Sequence, residues 1–371
     1  MHLNNQHPLK IALAPQSGIA DRLEFPQMIY DGVKRAGHIA QLLKNRDPDD
    51  INADIVLFVG DGRLLADYSR HFYKKNRNFT AILWLWDCLP PAELATGTAR
   101  KLEKLGRYNY KYAPKAISAK TNIKPIDKLA YSLARYRCFA AMKKDLKNNI
   151  ICKNATAGQL FIAATRYLSV KWLWDNHLID QIIASTPARQ LFLQKNHINA
   201  GYVPLGYHQI WGHKMTIERD IDVLFLGRLR KDRRLKVLGK CFDELNSRNI
   251  KTHLAENNCF GRQRTELINR SKIVLDIMRI PWEMPVMRPL MSAACGAMVV
   301  TDWTGDPEPF APEHLVRTPP ERLSETIIKY LQNPRKVNKI TAAAHEYVTK
   351  HLTLQQSVSS IIETANIKKR H

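Results

Sequence analysis

Short continuous apolar runs alternate along this chain with stretches of helical period. In the first half, apolar runs at 10–14, 53–59, 80–86 and 179–185 predict buried strands. In the second half the same signal recurs at 222–226, 250–254, 272–277 and 297–301. Between these runs, helices are expected over about 26–44, 233–247, 264–270, 285–295, 320–333 and 334–351. A run that is apolar throughout, rather than at every second residue, fits a strand covered on both faces, as in a parallel sheet. The alternation stops at a connection over about 201–219 and then restarts. The expected fold is therefore α/β, with a Rossmann-like domain over 1–205, a second over 206–350, and a closing helix or tail over 351–371. The 371 residues suffice for two cores.

Charge changes the picture. The chain carries 57 Lys+Arg against 34 Asp+Glu, a formal net charge of +23. Such an excess favours an anionic partner and says nothing about fold. No helix-turn-helix, zinc or RNA-binding signature accompanies it, so no specific nucleic acid is expected. The six cysteines form no C-x-x-C pair, so neither a zinc site nor a disulfide framework is indicated. No apolar stretch of about 18 residues appears, and residues 1–8 are polar, which points to a cytoplasmic protein without a signal peptide or a span.

The excess is concentrated. Residues 101–150 hold thirteen lysines and arginines and three acids. This stretch reads as a basic helical insertion, over about 101–175, in the first domain. Between 128 and 147 the apolar positions Leu129, Leu133, Tyr136 and Ala140 fall on one helical stripe, flanked by Arg135 and Arg137 and followed by Lys143, Lys144 and Lys147. Two readings stand. The stripe packs on the first domain and the cations are solvated, or the helix lies on an anionic membrane surface, which would make the protein peripheral on the inner face of the membrane. Tyr110, Tyr112, Trp172 and Trp174 are candidate interfacial aromatics in the second reading.

Open α/β sheets bind ligands beyond the carboxyl ends of their strands, so the loops after each strand hold the candidate chemistry. The loop 227–234 joins Gly227 to Arg228, Arg230, Lys231, Arg233 and Arg234 ahead of a helix. Glycine admits close approach of a ligand and guanidinium forks match phosphate oxygens; a solvated basic turn is the other reading. Glu283 and Arg288 lie between a strand and a helix, where a carboxylate can meet a sugar hydroxyl or simply complement the helix dipole. Asp302, Gly305 and Glu308 follow the strand 297–301 and can accept ligand hydroxyls or form an ordinary turn. In the first domain Asp87 is the candidate general base, with His38 and Asp61 as alternates, and a capping role is its other reading. Asp47-Pro48-Asp49 is read as a solvated turn, so no metal site is expected.

The order Gly227-Arg228-Leu229, then the strand 271–277, then Arg288, then Ala294-Cys295-Gly296-Ala297-Met298-Val299-Val300-Thr301-Asp302 resembles the C-terminal domain of GT-B glycosyltransferases. It is most similar to the group 1 branch related to the spore-maturation CgeB-like proteins, over about 175–350. The resemblance implies two Rossmann-like domains facing across a cleft and transfer of a sugar from a nucleotide-diphosphate sugar, without a cofactor or metal, to a glycan, lipid-linked or surface-polymer acceptor. It implies that Gly227 and Arg228 line the donor diphosphate, that Arg233 supplies a second cation, that Arg288 assists, and that Glu283 stands near the transferred sugar. Relatives hold the ribose with a second glutamate; here that position is Met291, whose thioether cannot accept two strong hydrogen bonds. The alternative is a protein of the same fold, without catalysis, that binds a polyanion or an anionic membrane surface.

Overall fold

A computed structural model of the chain describes residues 7–15, 24–43, 51–60, 78–105, 125–149, 152, 155–229, 233–256, 259–282, 286–302, 305 and 308–365. These form two compact units. The first comprises 1–16, 37–203 and 361–371, the second 17–36 and 204–360. Each is built on one parallel sheet, as the continuous apolar runs predict.

The first sheet joins β1 (Lys10–Pro15), β2 (Ile39–Leu42), β3 (Ile55–Gly60), β4 (Thr80–Leu85), β5 (Gln181–Ala184) and β6 (Ala200–Tyr202) in the order β2-β1-β3-β4-β5-β6. Every residue of β3 and β4 is buried. Trp84 in β4 donates its Nε1–H to the Val203 carbonyl at 3.1 Å, which satisfies the one polar atom of a fully buried indole.

The helix expected over 26–44 is shorter, and a strand replaces its second half. Helix α1 (Phe25–Arg35) has Pro26 in its first turn, where a missing N–H costs nothing. It stops before Gly37, whose φ of 88° is open to glycine and costly for other residues. β2 follows at once and pairs with β1, Lys10 opposite Ile39. α1 belongs to the second compact unit, where Gly32 lets the Leu354 side chain come within 3.2 Å of the place a Cβ would take.

The expected helical insertion contains helix α2 (Pro125–Asp145) and helix α3 (Ala157–Asp175). Thr156 and Gln159 close a capping box at the start of α3. The apolar stripe of α2 differs from the expected one. Cys138, Met142 and Leu146, four residues apart, are buried, whereas Leu133 and Tyr136 are exposed. The two rows lie on opposite sides of one helix, and the first domain covers the Cys138 row. The reading in which Leu133, Tyr136 and Ala140 pack on that domain is therefore corrected. The side chains of Leu129 and Arg135 lie outside the described residues, as do Tyr110 and Tyr112; Trp172 and Trp174 are half-buried on α3.

After helix α4 (Pro187–Lys195) the second sheet collects β7 (Ile221–Leu226), β8 (Thr252–Ala255), β9 (Ser271–Asp276), β10 (Met298–Thr301) and β11 (Val316–Arg317) in the order β11-β10-β9-β7-β8. β7, the first strand of this sheet in the chain, is interior, with the edge strand β8 on one side and β9 on the other. The strand order reverses between β7 and β9, and their carboxyl ends open the crevice where such sheets take ligands. Val223, Phe225, Ile273, Leu275, Met298 and Val300 form the middle of this core, closed by helix α5 (Arg233–Asn246) and helix α8 (Leu323–Leu331) among others. Helix α6 (Gly261–Asn269), helix α7 (Met287–Ala294) and helix α9 (Pro334–Glu346) complete the unit, and helix α10 (Leu354–Glu363) begins in it and ends in the first. No helix among the described residues is long and apolar enough to cross a membrane.

Candidate functional site

The crevice at the carboxyl ends of β7, β9 and β10 holds a dense charged cluster. β7 ends at Leu226, and Gly227 follows with φ of 143°, a region L side chains rarely enter. A Cβ there would meet Arg288 Nη2 at 3.1 Å and Arg234 Nη1 at 3.9 Å, so the glycine lets two guanidinium groups crowd the strand end. Both also lie over the Phe225 ring, with centroid distances of 5.1 Å for Arg288 and 5.5 Å for Arg234.

Two carboxylates organise the arginines. Asp276 is the last residue of β9, and Arg288 near the start of α7 pairs with its Oδ1. Asp302 follows β10. Its Oδ1 accepts from the Met278 N–H at 2.8 Å and its Oδ2 pairs with Arg233 Nη1 at 2.5 Å. Arg233 also donates to the Met278 carbonyl at 3.1 Å, and Arg234 Nε to the Ile277 carbonyl at 3.0 Å. Arg234 Nη1 reaches the Arg228 carbonyl at 3.2 Å, which anchors the loop after Gly227. Parallel register makes this possible: Thr301 lies opposite Asp276, so the acid-bearing ends of β9 and β10 arrive together.

Three guanidinium groups, Arg233, Arg234 and Arg288, thus face two carboxylates, Asp276 and Asp302, which leaves the cluster cationic. Burial pulls the Arg288 pKa down, and repulsion from Arg234 adds to this against the attraction of Asp302. Contact with Asp276 holds the guanidinium charged, since arginine keeps its proton even when buried. Burial pushes the Asp302 carboxyl above the ordinary range, opposed by Arg233 and the Met278 N–H. The N-terminus of α5 begins at Arg233 itself, which adds a favourable dipole end for an anion. An anionic group beside Gly227 would meet surplus positive charge already oriented by the fold.

The sequence-predicted residues fall as follows. Gly227, Arg228, Arg233, Arg288 and Asp302 come together at this one strand-end cluster; Arg228 is exposed on its rim. Asp302 faces inward and spends both oxygens on protein groups, so its position is that of an organiser of Arg233 and the 277–278 backbone. Gly305 accepts a hydrogen bond from Arg317 Nη1 at 2.8 Å, and Glu308 is exposed. Glu283 lies outside the described residues. Met291 is buried on α7.

Asp87 belongs to the other compact unit. It is ion-paired with Arg166 Nη2 at 2.6 Å, and Arg166 Nη1 also donates to the Cys88 sulfur at 2.8 Å. His38 accepts the Leu9 N–H on Nδ1 at 3.3 Å. Asp61 and the Asp47-Pro48-Asp49 turn lie outside the described residues.

Sequence reasoning missed Asp276, Phe225 and the distinct role of Arg234. An acid closing an otherwise apolar strand is a legible signal for Asp276. The Phe225 face under two cations is visible only in three dimensions. All six cysteines are free thiols, five of them buried.

Residues 219–363 match a family model described as Glycosyl transferase-like. No curated protein matches the chain in sequence. Among solved structures the chain is similar to TarM of S. aureus, at 10% identity and TM-score 0.49, covering 86% of this chain and 55% of that one. It is similar to the glycotransferase of kitacinnamycin, at 12% identity and TM-score 0.47, covering 96% and 99%. It is also similar to Anabaena HepE in complex with UDP and glucose, at 14% identity and TM-score 0.48, again covering 96% and 99%. The chain spans little more than half the length of TarM. The family match begins just before β7 and takes in every residue of the arginine cluster.

Proposed function

We propose that the chain is a glycosyltransferase of the GT-B kind that moves a sugar from a nucleotide-diphosphate sugar to a glycan, lipid-linked or surface-polymer acceptor. The observation that carries this reading is the cationic cluster of Arg233, Arg234 and Arg288 against Gly227, inside the stretch that matches a glycosyltransferase-like family.

In transfer, the bond from the anomeric carbon to the diphosphate oxygen breaks. The electron pair leaves with the diphosphate, positive charge grows on the sugar, and an acceptor oxygen forms the new bond while losing its proton. The arginines would stabilise the growing negative charge from positions fixed before the reaction, which is where preorganised electrostatics accelerates a step. Their charge replaces that of a divalent metal, so no metal is required in this reading. Gly227 lets Arg288 and Arg234 crowd the strand end that the diphosphate would approach, Arg228 would meet it from the rim, Glu283 would act near the transferred sugar, and Asp302, Gly305 and Glu308 would border the nucleotide-sugar. Asp87 takes the acceptor proton once substrate loosens its pairing with Arg166.

A thermal-shift screen with nucleoside diphosphates and their sugars tests the reading, because a ligand that binds only the folded state raises Tm. A shift that disappears in Arg228→Ala supports it. No shift with any nucleoside diphosphate, or one that Arg228→Ala leaves untouched, removes it and favours a non-catalytic protein of this fold.

A further inference from the structure

Successive helical residues turn by about 100°, so residues three, four and seven apart share a face. Along α2 and the turn that follows it, Leu133, Tyr136, Arg137, Lys143, Lys144 and Lys147 stand on one face, and each is exposed. Leu133 is 48% and Tyr136 67% accessible, among the largest exposed apolar surfaces in the described residues. The opposite face, Cys138, Met142 and Leu146, is buried. The helix is therefore fixed by one side and offers the other. Asp145, the one acid between 133 and 149, is turned away: its Oδ2 accepts the Ala95 N–H at 2.7 Å. Four cations and two apolar side chains share a face without a carboxylate among them.

Beside this face a groove of about 600 Å³ runs between the end of α2 and the start of α3. Phe139, Cys152 and Leu160 contribute its apolar wall, and Lys143, Lys144 and Lys147 rim it. Lys143 Nζ stands 5.9 Å from the centroid of the Phe139 ring, so one of the cations sits over the groove's aromatic wall.

We propose that this face of α2 is a docking surface for an anionic lipid bilayer, with lipid phosphates taken by Arg137, Lys143, Lys144 and Lys147 and with Leu133 and Tyr136 entering the headgroup layer. Charge complementarity selects an anionic partner. The apolar members select a bilayer, because an exposed leucine and a groove with an apolar wall gain nothing against a soluble polyanion but are removed from water at a membrane interface. The buried row on the other side holds the helix in place, so docking requires no unfolding. The inference concerns the first compact unit alone and is independent of the transferase reading.

Co-sedimentation of the full chain with vesicles tests it. Binding is expected with phosphatidylcholine vesicles containing about a third phosphatidylglycerol, to be absent with phosphatidylcholine alone, and to weaken as salt rises through screening. Each cation near an anionic leaflet is worth about a fivefold gain in binding, so changing Arg137, Lys143, Lys144 and Lys147 together to glutamine should weaken it by about several hundredfold. Leu133→Ser with Tyr136→Ser should weaken it while leaving the charge unchanged. Glutamine at four exposed cations of the second unit, Lys329, Arg335, Lys336 and Lys339, is the matched control and should retain binding. All six substituted positions on α2 and its following turn are exposed, and an unchanged Tm would confirm that each variant is folded. Equal pelleting with neutral vesicles overturns the proposal. So does loss in the control equal to that in the α2 variant, or an α2 variant that still binds, or binding to soluble heparin or RNA with none to vesicles.

Discussion

Arg233 Nη1 stands 2.5 Å from the Asp302 carboxylate, and this pair ties the first residue of α5 to the end of β10. The Asp302 side chain has no exposure to solvent. Arg233 therefore serves the fold as well as any ligand, and the two roles call for different experiments.

Arg233→Ala should leave a buried carboxylate without its cation. Removing one partner of such a pair costs about 3 kcal/mol, and the loss is largely the penalty of the charge left behind. Adding Asp302→Asn removes that charge and keeps an oxygen for the Met278 N–H, so the double variant should recover more than half of the loss. Urea unfolding of both variants checks this. Arg228→Ala, at an exposed rim position, should change stability by less than about 0.5 kcal/mol while weakening nucleoside diphosphate binding.

Gly227→Ala should disturb the cluster from the backbone side. The added Cβ meets Arg288 Nη2 at 3.1 Å, and φ at 143° is unfavourable for alanine. Strain of this kind costs about 1–3 kcal/mol, and the guanidinium must move to relieve it. The expected result is a lower Tm together with at least a tenfold loss of nucleoside diphosphate affinity by isothermal titration. A lower Tm with unchanged affinity would separate Gly227 from the ligand.

Much of this arrangement was legible in the sequence because the strands are apolar throughout. A buried parallel strand announces its own end, and the residues after it must lie along one edge. Gly227, Arg228, Arg233, Arg288 and Asp302 were found in that way. Asp276 reads as the last letter of a strand, and its pairing with Arg288, twelve residues on in α7, depends on how that helix returns over the strand end, which the strand pattern does not contain. β2 was absorbed into a helix because its four residues, Ile39–Leu42, lie at a sheet edge where burial is partial and the apolar signal is weak. Of the two readings of the stripe on α2, the one that packs it on the first domain fails, because a second row, Cys138, Met142 and Leu146, takes the buried side. The two rows are both apolar in part, and which row meets the core depends on the partner helix, which a local pattern does not contain.

Glu283→Gln should leave the fold unchanged and lower kcat by at least tenfold, as expected of a carboxylate at the transferred sugar. A glutamine of equal shape isolates the charge. Once a donor is identified, steady-state kinetics decide it, and full kcat in the variant would remove Glu283 from the reaction.

Met291→Glu tests the ribose position. Met291 is 7% exposed, so a carboxylate there is buried and should lower Tm in the free protein. If the nucleotide ribose reaches α7, its hydroxyls would satisfy the new carboxylate, and nucleoside diphosphate should raise the variant's Tm by more than that of the parent. An equal or smaller rise would place the ribose elsewhere.

Stability should fall as pH drops below about 6.5, the ordinary histidine value. Three histidines carry the argument. His38, His208 and His314 each accept a backbone N–H on Nδ1, from Leu9, Ile210 and Ala311. That bond requires an unprotonated Nδ1, and burial lowers all three pKa values below 6.5. For His208 the Arg35 charge lowers it further, while Asp31, 3.8 Å from Nε2, works in the opposite sense. With the folded pKa values depressed, the unfolded chain binds more protons between those values and 6.5. Stability then rises with pH across that window and is lost as pH falls through it. Urea unfolding from pH 5 to 8 should show uptake of up to three protons on unfolding near the lower end. Asparagine supplies a side-chain oxygen for the same N–H and does not titrate. His208→Asn should therefore keep the cap on Ile210 and remove one proton from the slope, and the triple asparagine variant should be nearly flat between pH 5.5 and 7. A triple variant with the parent's slope would assign the pH dependence to other groups.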